Sequence, residues 1–189
     1  MAHDAHDDKN SSVFKITLNL AITCFISGII IASAFAITEP AAAEQRVKAK
    51  NDAMRELVKD AESFKAIDGK EGWYAGMKGG KIIAYVVPAN GKGYAGNIEM
   101  LAAVTTDGKA MDFKVLKHAE TPGLGDKMVL PKFRDQFANK SPKDMEVVKV
   151  PTDKNIQALT GATITSRAVT KGVKEAVEAV AAYSATQKK

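Results

Sequence analysis

The chain has 189 residues, a formal net charge of +5 at pH 7, and a composition that is 46% hydrophobic and 26% charged. The length fits one domain with an appended segment, and the composition excludes an intrinsically disordered chain. The only cysteine, Cys24, lies in an apolar segment, so the polar part can form neither a disulfide nor a cysteine-ligated metal site.

The first predicted element is an uncharged segment of 22 residues, ITLNLAITCFISGIIIASAFAI, over residues 16–37. As a helix at about 1.5 Å per residue it spans roughly 33 Å, which matches the core of a bilayer. The alternative is a cleaved secretory signal, but such signals have an apolar core of about 7–15 residues after a positive leader. The leader here carries three Asp and two Lys. We therefore predict a leader over residues 1–15 and a retained transmembrane helix over residues 16–38.

The segment after the span is rich in Ala, Glu, Arg and Lys, with Pro40 near its start. This composition predicts a helical connector over residues 39–68, with a helix of about 20 residues leading away from the membrane. The chain beyond residue 38 has 25 basic and 19 acidic residues, a net charge of +6. That excess indicates either a solvated surface or attraction to a negatively charged partner or lipid. Basic residues interleaved with aromatic ones are not found, so nucleic-acid binding is not indicated.

An antiparallel sheet is predicted next, because apolar and β-branched runs are broken by KGGK, PANGKG and TDGK. Asp107-Gly108 between two such runs is typical of a hairpin. The strands are predicted over residues 72–77, 81–88, 97–105 and 110–117.

A loop-rich segment follows, and MEVVKVP is predicted as a further strand. The closing helix is predicted from apolar residues at helical spacing. They are Val169, Val173, Ala176, Val177, Val180 and Ala181. The fold class is therefore α+β, with a transmembrane helix followed by an antiparallel-sheet domain over residues 69–189 that a C-terminal helix closes.

The stretch ALTGATITSRAV, residues 158–169, concentrates hydroxyl groups on a small-residue turn. Thr165 or Ser166 is predicted as the N-cap of the last helix, and Gly161 and Ala162 allow the backbone to approach a ligand closely. A helix N-terminus favours an anion such as phosphate. The alternative is a capped helix after a turn, without a ligand. P-loop spacing is not present, so the stretch does not indicate nucleoside triphosphate binding.

The residues TGATITS resemble the Ser/Thr-Gly-Ala-Thr motif of covalently flavinylated subunits of the Rnf and sodium-pumping NADH:quinone oxidoreductase families. Residues 93–128 resemble the rest of the same FMN-binding domain, and HAETPGLGD is the most specific part. The order of anchor, strands, loop, turn and final helix is also similar. The short length resembles the G subunits of Rnf complexes more than the longer C subunits of the sodium pump.

This resemblance implies that Thr163 carries FMN as a phosphoester, while Thr160 and Gly161 shape the turn and Thr165 and Ser166 cap the helix. The usual Asp three residues before the motif is replaced by Gln157. Together the cofactor-binding residues implied are Thr160, Gly161, Ala162, Thr163, Thr165, Ser166, Glu120, Thr121, Pro122, Gly123 and Leu124. Glu120 and Thr121 are expected to hydrogen-bond the flavin, and neither a catalytic residue nor a metal site is expected in this chain.

The implied function is that of an electron carrier in an ion-translocating ferredoxin:NAD oxidoreductase complex of the cytoplasmic membrane. The FMN domain is expected outside the cytoplasm, and other membrane subunits of the complex are the expected partners. A threonine hydroxyl is a poor nucleophile without a base, and the turn contains no His or carboxylate, so self-modification is not expected. The resemblance implies a separate flavin transferase that uses FAD and a metal ion. The alternatives are an FMN subunit of the sodium-pumping NADH:quinone oxidoreductase, or a tethered FMN sensor or interaction module without turnover.

Overall fold

The computed structural model describes the backbone of residues 4–187 and the side chains of residues 13–187. By its internal contacts the chain divides into residues 1–48 and residues 49–189. The elements in chain order are helix α1 Asp4–Leu57, strands β1 Ser63–Ala66, β2 Tyr74–Lys78, β3 Lys81–Lys92, β4 Asn97–Thr105 and β5 Ala110–Lys117, helix α2 Pro131–Arg134, strands β6 Val147–Val148 and β7 Ile156–Gln157, and helix α3 Thr163–Gln187. Short 3₁₀ turns lie at Gly125–Val129, Asp135–Phe137 and Pro142–Asp144.

Residues 1–48 contribute most of helix α1, which continues through Pro40. Residues 1–3 of the predicted leader lie outside the described part, and the rest of the leader is helical from Asp4 onward. The apolar side chains between Val13 and Ile37 are exposed. One stretch of α1 is long and apolar enough to cross a membrane, with a mean hydropathy of 2.4 over its most apolar window.

The five-stranded sheet is antiparallel and keeps the chain order β1-β2-β3-β4-β5. Four of its strands confirm the predicted antiparallel sheet. The predicted connector over 39–68 is wrong at its end, because α1 stops at Leu57 and residues 63–66 form edge strand β1. This strand has only four, mostly exposed residues, so no apolar alternation marks it in the sequence.

Strand β3 extends to Lys92, four residues beyond its predicted end at Pro88. The Gly91 that suggested a turn is instead a close contact, since the Ala168 carbonyl leaves no room for a Cβ there. Helix α3 lies against this part of the strand, and a Cβ at Gly172 would lie 2.7 Å from the Asn90 carbonyl oxygen. The glycine therefore serves packing between strand and helix rather than a turn.

Both faces of the sheet are covered. Strands β3 and β4 contain runs of consecutive buried residues, and successive side chains of a strand point to opposite faces. One face packs against helix α3 and the segment between β5 and β6, through residues that include Val87, Met100, Phe113, Val173 and Val177. The other face packs against the end of α1, through residues that include Met54, Leu57, Val86, Leu101 and Ala103. The α+β class and the closing helix are thus confirmed.

Two details of the C-terminal part differ from prediction. The strand predicted for MEVVKVP is limited to Val147–Val148, which pairs in parallel with β7. In helix α3 the four valines of the predicted face are buried, but Ala181 is exposed. Position 181 lies 100° around the helix from Val180, at the margin of the apolar face, and its side chain faces Gly108 in the turn between β4 and β5.

Candidate FMN site

A cavity of about 610 Å³ lies where the TGATITS turn meets the HAETPGLGD loop. Its volume falls within the roughly 300–1,000 Å³ that is usual for small-molecule sites. The residues that line it are Tyr94, Glu120, Thr121, Leu124, Gly125, Gly161, Ala162, Thr163, Ile164 and Thr165. The fold therefore brings together segments that are about forty residues apart in the sequence.

The turn of residues 158–166, which the resemblance predicts to carry FMN and which we call the attachment turn, leads into helix α3. Gly161 has a φ of +79°, a conformation that favours glycine. The Ala162 N–H donates to the Leu159 carbonyl over 3.0 Å, and the Ser166 N–H donates to the Ala162 carbonyl over 3.0 Å. The helix thus begins at Thr163, and its first N–H groups have no acceptor within the helix.

The prediction that Thr165 or Ser166 caps this helix is therefore wrong, because both lie inside its first turns. The buried Ser166 hydroxyl accepts from the Leu159 N–H over 2.9 Å and donates to the Ala162 carbonyl over 2.9 Å. This hydroxyl therefore connects the end of the attachment turn to its beginning at Leu159 and to its middle at Ala162. A small hydroxyl residue shortly after Gly-Ala at the start of a helix is typical of an N-cap. Here the helix already begins at Thr163, before both predicted cap residues.

The four hydroxyl groups of the attachment turn have different surroundings. Thr165 is buried and donates to the Glu120 carboxylate. Ser166 is buried and holds the turn. Thr160 is exposed, whereas Thr163 is half-buried and lines the cavity. Thr163 is consequently the hydroxyl residue that combines a place at the cavity with partial exposure at the helix start.

The wall loop, residues 118–125, forms another part of the cavity lining. The Leu124 N–H donates to the Thr121 carbonyl over 3.2 Å, and Gly123 has a φ of +78°, so the chain makes a tight turn. Thr121 and Leu124 line the cavity. Pro122 shapes the turn as predicted for its residue type, but neither it nor Gly123 belongs to the cavity lining.

Glu120 points inward from the wall loop and is only 5% exposed. Its Oε1 accepts from the Ala95 N–H over 3.0 Å, and its Oε2 accepts from the Thr165 hydroxyl. The sequence prediction had this carboxylate hydrogen-bonded to a ligand. In the structure both of its oxygen atoms already have partners in the protein.

Three lining residues, Tyr94, Gly125 and Ile164, are not among the predicted cofactor-binding residues. Tyr94 lies in the turn between β3 and β4 and is exposed. The Gly-Tyr-Ala-Gly sequence of that turn was the available signal, because an aromatic residue between two glycines at a strand end is well placed for a ligand.

A partly buried ion network anchors helix α2, which follows the wall loop in the chain. Arg134 donates to both carboxylate oxygens of Asp112 over 2.7 and 2.6 Å and to Glu56 over 3.1 Å. These hydrogen bonds, led by those to Asp112, raise the pKa of the Arg134 guanidinium. The hydrogen bond from Lys114, with that from Arg134, lowers the pKa of Glu56. The network joins α2 to strand β5 and to the end of α1.

Comparison with known proteins places this chain in a family. The FMN-binding domain family matches residues 93–178, which contain both the wall loop and the attachment turn. The G subunit of the proton-translocating ferredoxin:NAD(+) oxidoreductase complex of Clostridium ljungdahlii is 57% identical over 181 residues, which cover 95% of this chain and 98% of that protein. The G subunit of the Na(+)-translocating complex of Acetobacterium woodii is 31% identical and covers 87% of this chain and 92% of that protein.

A solved structure shares the fold. The crystal structure of NqrC from Shewanella oneidensis superimposes with a TM-score of 0.54 at 21% identity, covering 69% of this chain and 74% of that chain. The match of 57% identity extends over almost the whole length of both chains. This chain therefore carries an FMN-binding domain and belongs to the family of G subunits of ion-translocating ferredoxin:NAD(+) oxidoreductase complexes.

Proposed function

We propose that the chain carries electrons within an ion-translocating ferredoxin:NAD(+) oxidoreductase complex, through FMN esterified to Thr163. The observation that carries the proposal is the cavity, because it joins the attachment turn and the wall loop of an FMN-binding domain. The two relatives are named for different ions, protons in one and sodium ions in the other. The proposal therefore names the type of complex and not the ion.

The residues of the cavity fit FMN in their chemistry. The first turn of α3 presents N–H groups without helical acceptors, which suit a phosphate group. Tyr94, Leu124 and Ile164 also line the cavity, and their side chains are 73%, 43% and 53% exposed. Such side chains suit the planar, largely apolar flavin ring. When bound, FMN supplies one- and two-electron redox chemistry, and the protein sets its position and electrostatic surroundings.

Thr163 is the proposed attachment residue because it lines the cavity and is the first residue of a 25-residue helix. The product phosphodiester carries one negative charge, which the helix N-terminus stabilises. Attachment forms a bond between Thr163 Oγ1 and phosphorus. With FAD as donor, the pyrophosphate bond breaks, AMP leaves and the hydroxyl proton is released.

A separate flavin transferase is the proposed catalyst of this attachment. Glu120 is the carboxylate that lines the cavity, and its two oxygen atoms already accept hydrogen bonds from Ala95 and Thr165. A threonine hydroxyl without a base is a poor nucleophile. An enzyme that binds FAD and a metal ion would supply both the base and the charge stabilisation of the leaving group.

Ferredoxin and NAD are assigned to other subunits of the complex. The chain has one cysteine, whereas an iron–sulfur cluster is usually held by four. Covalent attachment prevents dissociation, which suits a carrier between fixed partners. The alternative of a C subunit of the sodium pump is less well supported, because the relative that is 57% identical over nearly its whole length is a G subunit.

We also propose that residues 16–38 remain as a single-pass anchor and that residues 39–189 lie outside the cytoplasmic membrane. The apolar, exposed stretch of α1 supports the anchor. Basic residues are more frequent just after the span than before it, which opposes the positive-inside rule, but long translocated domains contribute little to orientation. Protease added to spheroplasts should digest the sheet domain, and full protection would reverse the assignment.

Electron transfer in membranes that contain the complete complex tests the proposed role. Thr163→Ala should abolish ferredoxin-dependent NAD reduction while the complex still assembles. Thr186→Ala is the matched control, since Thr186 lies near the far end of the same helix and is exposed. A non-catalytic FMN sensor, by contrast, would leave electron transfer unchanged in Thr163→Ala.

A further inference from the structure

We infer that Glu120 is a positioning residue that holds together the three chain segments lining the cavity, rather than a ligand of the flavin. The segments are the hairpin turn of residues 93–96, the wall loop and the first turn of α3. The inference rests on the proposed function only where its effect is read through bound FMN.

The first observation is the pair of hydrogen bonds to one carboxylate. Oε1 accepts from the Ala95 N–H in the hairpin turn, over 3.0 Å. Oε2 accepts from the Thr165 hydroxyl in the first turn of α3, 45 residues further along the chain. The Glu120 N–H donates to His118 Nδ1 over 3.2 Å, which fixes the backbone from which the side chain projects. One buried side chain therefore contacts all three segments.

The second observation is the room made for this carboxylate by two glycines. A Cβ at Gly125 would lie 2.7 Å from Glu120 Oε2 and 2.8 Å from Thr165 Oγ1. A Cβ at Gly93 would overlap Glu120 Oε1. Backbone therefore encloses the carboxylate at both oxygen atoms, and only glycine permits this approach. The glutamate length matches the space between the hairpin turn and the helix.

The two hydrogen bonds to Glu120 involve neighbours of two residues that line the cavity. Tyr94 lies between Gly93 and the bonded Ala95, and Thr163 lies two residues before the bonded Thr165. Both residues line the cavity. The two hydrogen bonds to Glu120 thus fix the placement of Tyr94 relative to the attachment residue. A buried carboxylate near the start of α3 also interacts favourably with the helix dipole.

Variants of the two bonded side chains test this inference in the full-length protein. Glu120→Asp shortens the side chain by one methylene, so that it cannot reach Ala95 and Thr165 together. Glu120→Gln keeps the length, accepting from Ala95 and donating to the Thr165 hydroxyl oxygen. Thr165→Val removes the hydroxyl at similar volume, and Thr165→Ser retains it. Glu62→Asp is the matched control, because Glu62 also accepts from a backbone N–H, that of Gly79, but on the exposed edge of the sheet.

The first readout does not need FMN. Hydrogen exchange of the peptide covering residues 93–97 should be faster in Glu120→Asp than in the wild type, and unchanged in Glu120→Gln and Glu62→Asp. Thr165→Val should also speed exchange there, although Thr165 is distant in sequence, and Thr165→Ser should not. Unchanged exchange in both Glu120→Asp and Thr165→Val would overturn the inference. If Glu120→Asp fails to fold, the Thr165 pair makes the same comparison.

The second readout is the visible circular dichroism of the attached flavin, which reports how firmly its ring is held. Glu120→Asp, Thr165→Val and the double variant should lose most of this signal to the same extent, because they break one shared arrangement. Glu120→Gln should retain it. Additive losses in the double variant, or a loss in Glu120→Gln equal to that in Glu120→Asp, would overturn the positioning role. Absence of FMN from the wild type would instead contradict the proposed function, and the exchange experiment would still decide the inference.

Discussion

The attachment turn and the wall loop line the same cavity, but they are held in different ways. The turn is fixed from within, by the two hydrogen bonds of the buried Ser166 hydroxyl to Leu159 and Ala162. The loop is exposed at residues 121–124, and its inward-facing Glu120 is bonded to two other segments. The turn is closed by hydrogen bonds between residues at most seven positions apart. The loop has its own hydrogen bond from Leu124 to Thr121, and Glu120 also ties it to residues 25 and 45 positions away.

This comparison separates residues that share a motif. Within the attachment turn, Thr165 and Ser166 are committed to the fold, and Thr163 is left at the cavity. Within the wall loop, Glu120 is committed to the fold, and Thr121 is left at the cavity. Membership of a motif therefore does not decide whether a residue serves the ligand or the structure. Burial and hydrogen-bond partners do.

The largest expected effect is that of Thr163→Ala, which should abolish covalent flavin. The free energy of unfolding should change by no more than about 0.5 kcal/mol, because the side chain is half-buried on a turn. Thr163→Ser keeps a hydroxyl and should be partly modified. Flavin fluorescence in a denaturing gel, after co-expression with a flavin transferase, measures both variants. Thr186→Ala should fluoresce like the wild type. A fluorescent Thr163→Ala band would mean that Thr163 is not the attachment residue.

Ser166→Ala should reverse that pattern and lose stability while keeping the flavin. Removing the hydroxyl leaves the Leu159 N–H without its acceptor, at a cost of about 1–3 kcal/mol. Thr170→Val is the matched control, since the buried Thr170 hydroxyl donates only to a carbonyl of its own helix, that of Ser166. Its removal should cost less. Denaturant unfolding measures both changes, and equal stabilities would mean that Ser166 does not hold the turn.

Arg134→Met should weaken the anchorage of the segment that follows the wall loop by about 1–2 kcal/mol, because it removes the paired hydrogen bonds to Asp112. Solvent screening at the half-exposed Glu56 keeps the cost below that of a buried ion pair. Thermal unfolding at neutral pH measures the loss. Lys109→Met, at an exposed ion pair in a different turn, is the control.

The pH dependence of stability follows from the same network. The pKa of Glu56 is lowered in the folded chain, chiefly by the hydrogen bond from Lys114, so the ionised carboxylate favours folding. This contribution is fully present above the ordinary glutamate pKa of about 4.3 and is lost as the pH falls through the lower, folded pKa. The wild type should therefore lose more stability than Glu56→Gln between about pH 5 and pH 3. If stability fell equally with pH in the two proteins, Glu56 would not contribute to the stability of the folded chain through this network.

The smallest expected effect is that of Thr121→Ala in the wall loop. Flavin should stay attached, because attachment depends on the turn, but the reduction potential should shift by the equivalent of about 0.5–1.5 kcal/mol, the net value of one hydrogen bond. Spectroelectrochemical titration of the attached flavin measures the shift. Thr106→Ala, in the exposed turn between β4 and β5, should leave the potential unchanged. An unaltered reduction potential in Thr121→Ala would mean that Thr121 does not hydrogen-bond the flavin.

The sequence predicted those parts of the fold whose signals are local. Strands β4 and β5 have their predicted bounds, because strand runs and turn residues alternate clearly there. Edge strand β1 was missed because its pairing with β2, and not its composition, makes it a strand. The end of β3 was misplaced because Gly91 accommodates the Ala168 carbonyl, which is a tertiary contact.

The site could be predicted to a similar degree. Residues of both motifs line the cavity, but Thr160, Ser166, Pro122 and Gly123 do not, and the contacts of this set with FMN stay a prediction. The sequence could not show that Glu120 and Thr165 hydrogen-bond each other across 45 positions. For the same reason it could not show that Ser166 folds back to Leu159 rather than capping the helix. Roles set by tertiary hydrogen bonds are outside the reach of local patterns.

The most direct test of the central claim is to locate FMN within the tryptic peptide of residues 155–167, which contains all four hydroxyl residues of the attachment turn. Protein co-expressed with a flavin transferase would be digested, and the fluorescent peptide would be fragmented in a mass spectrometer. We expect the mass of FMN, less one water, on Thr163 alone. Attachment at Thr160, Thr165 or Ser166, or no FMN on this peptide, would contradict the assignment.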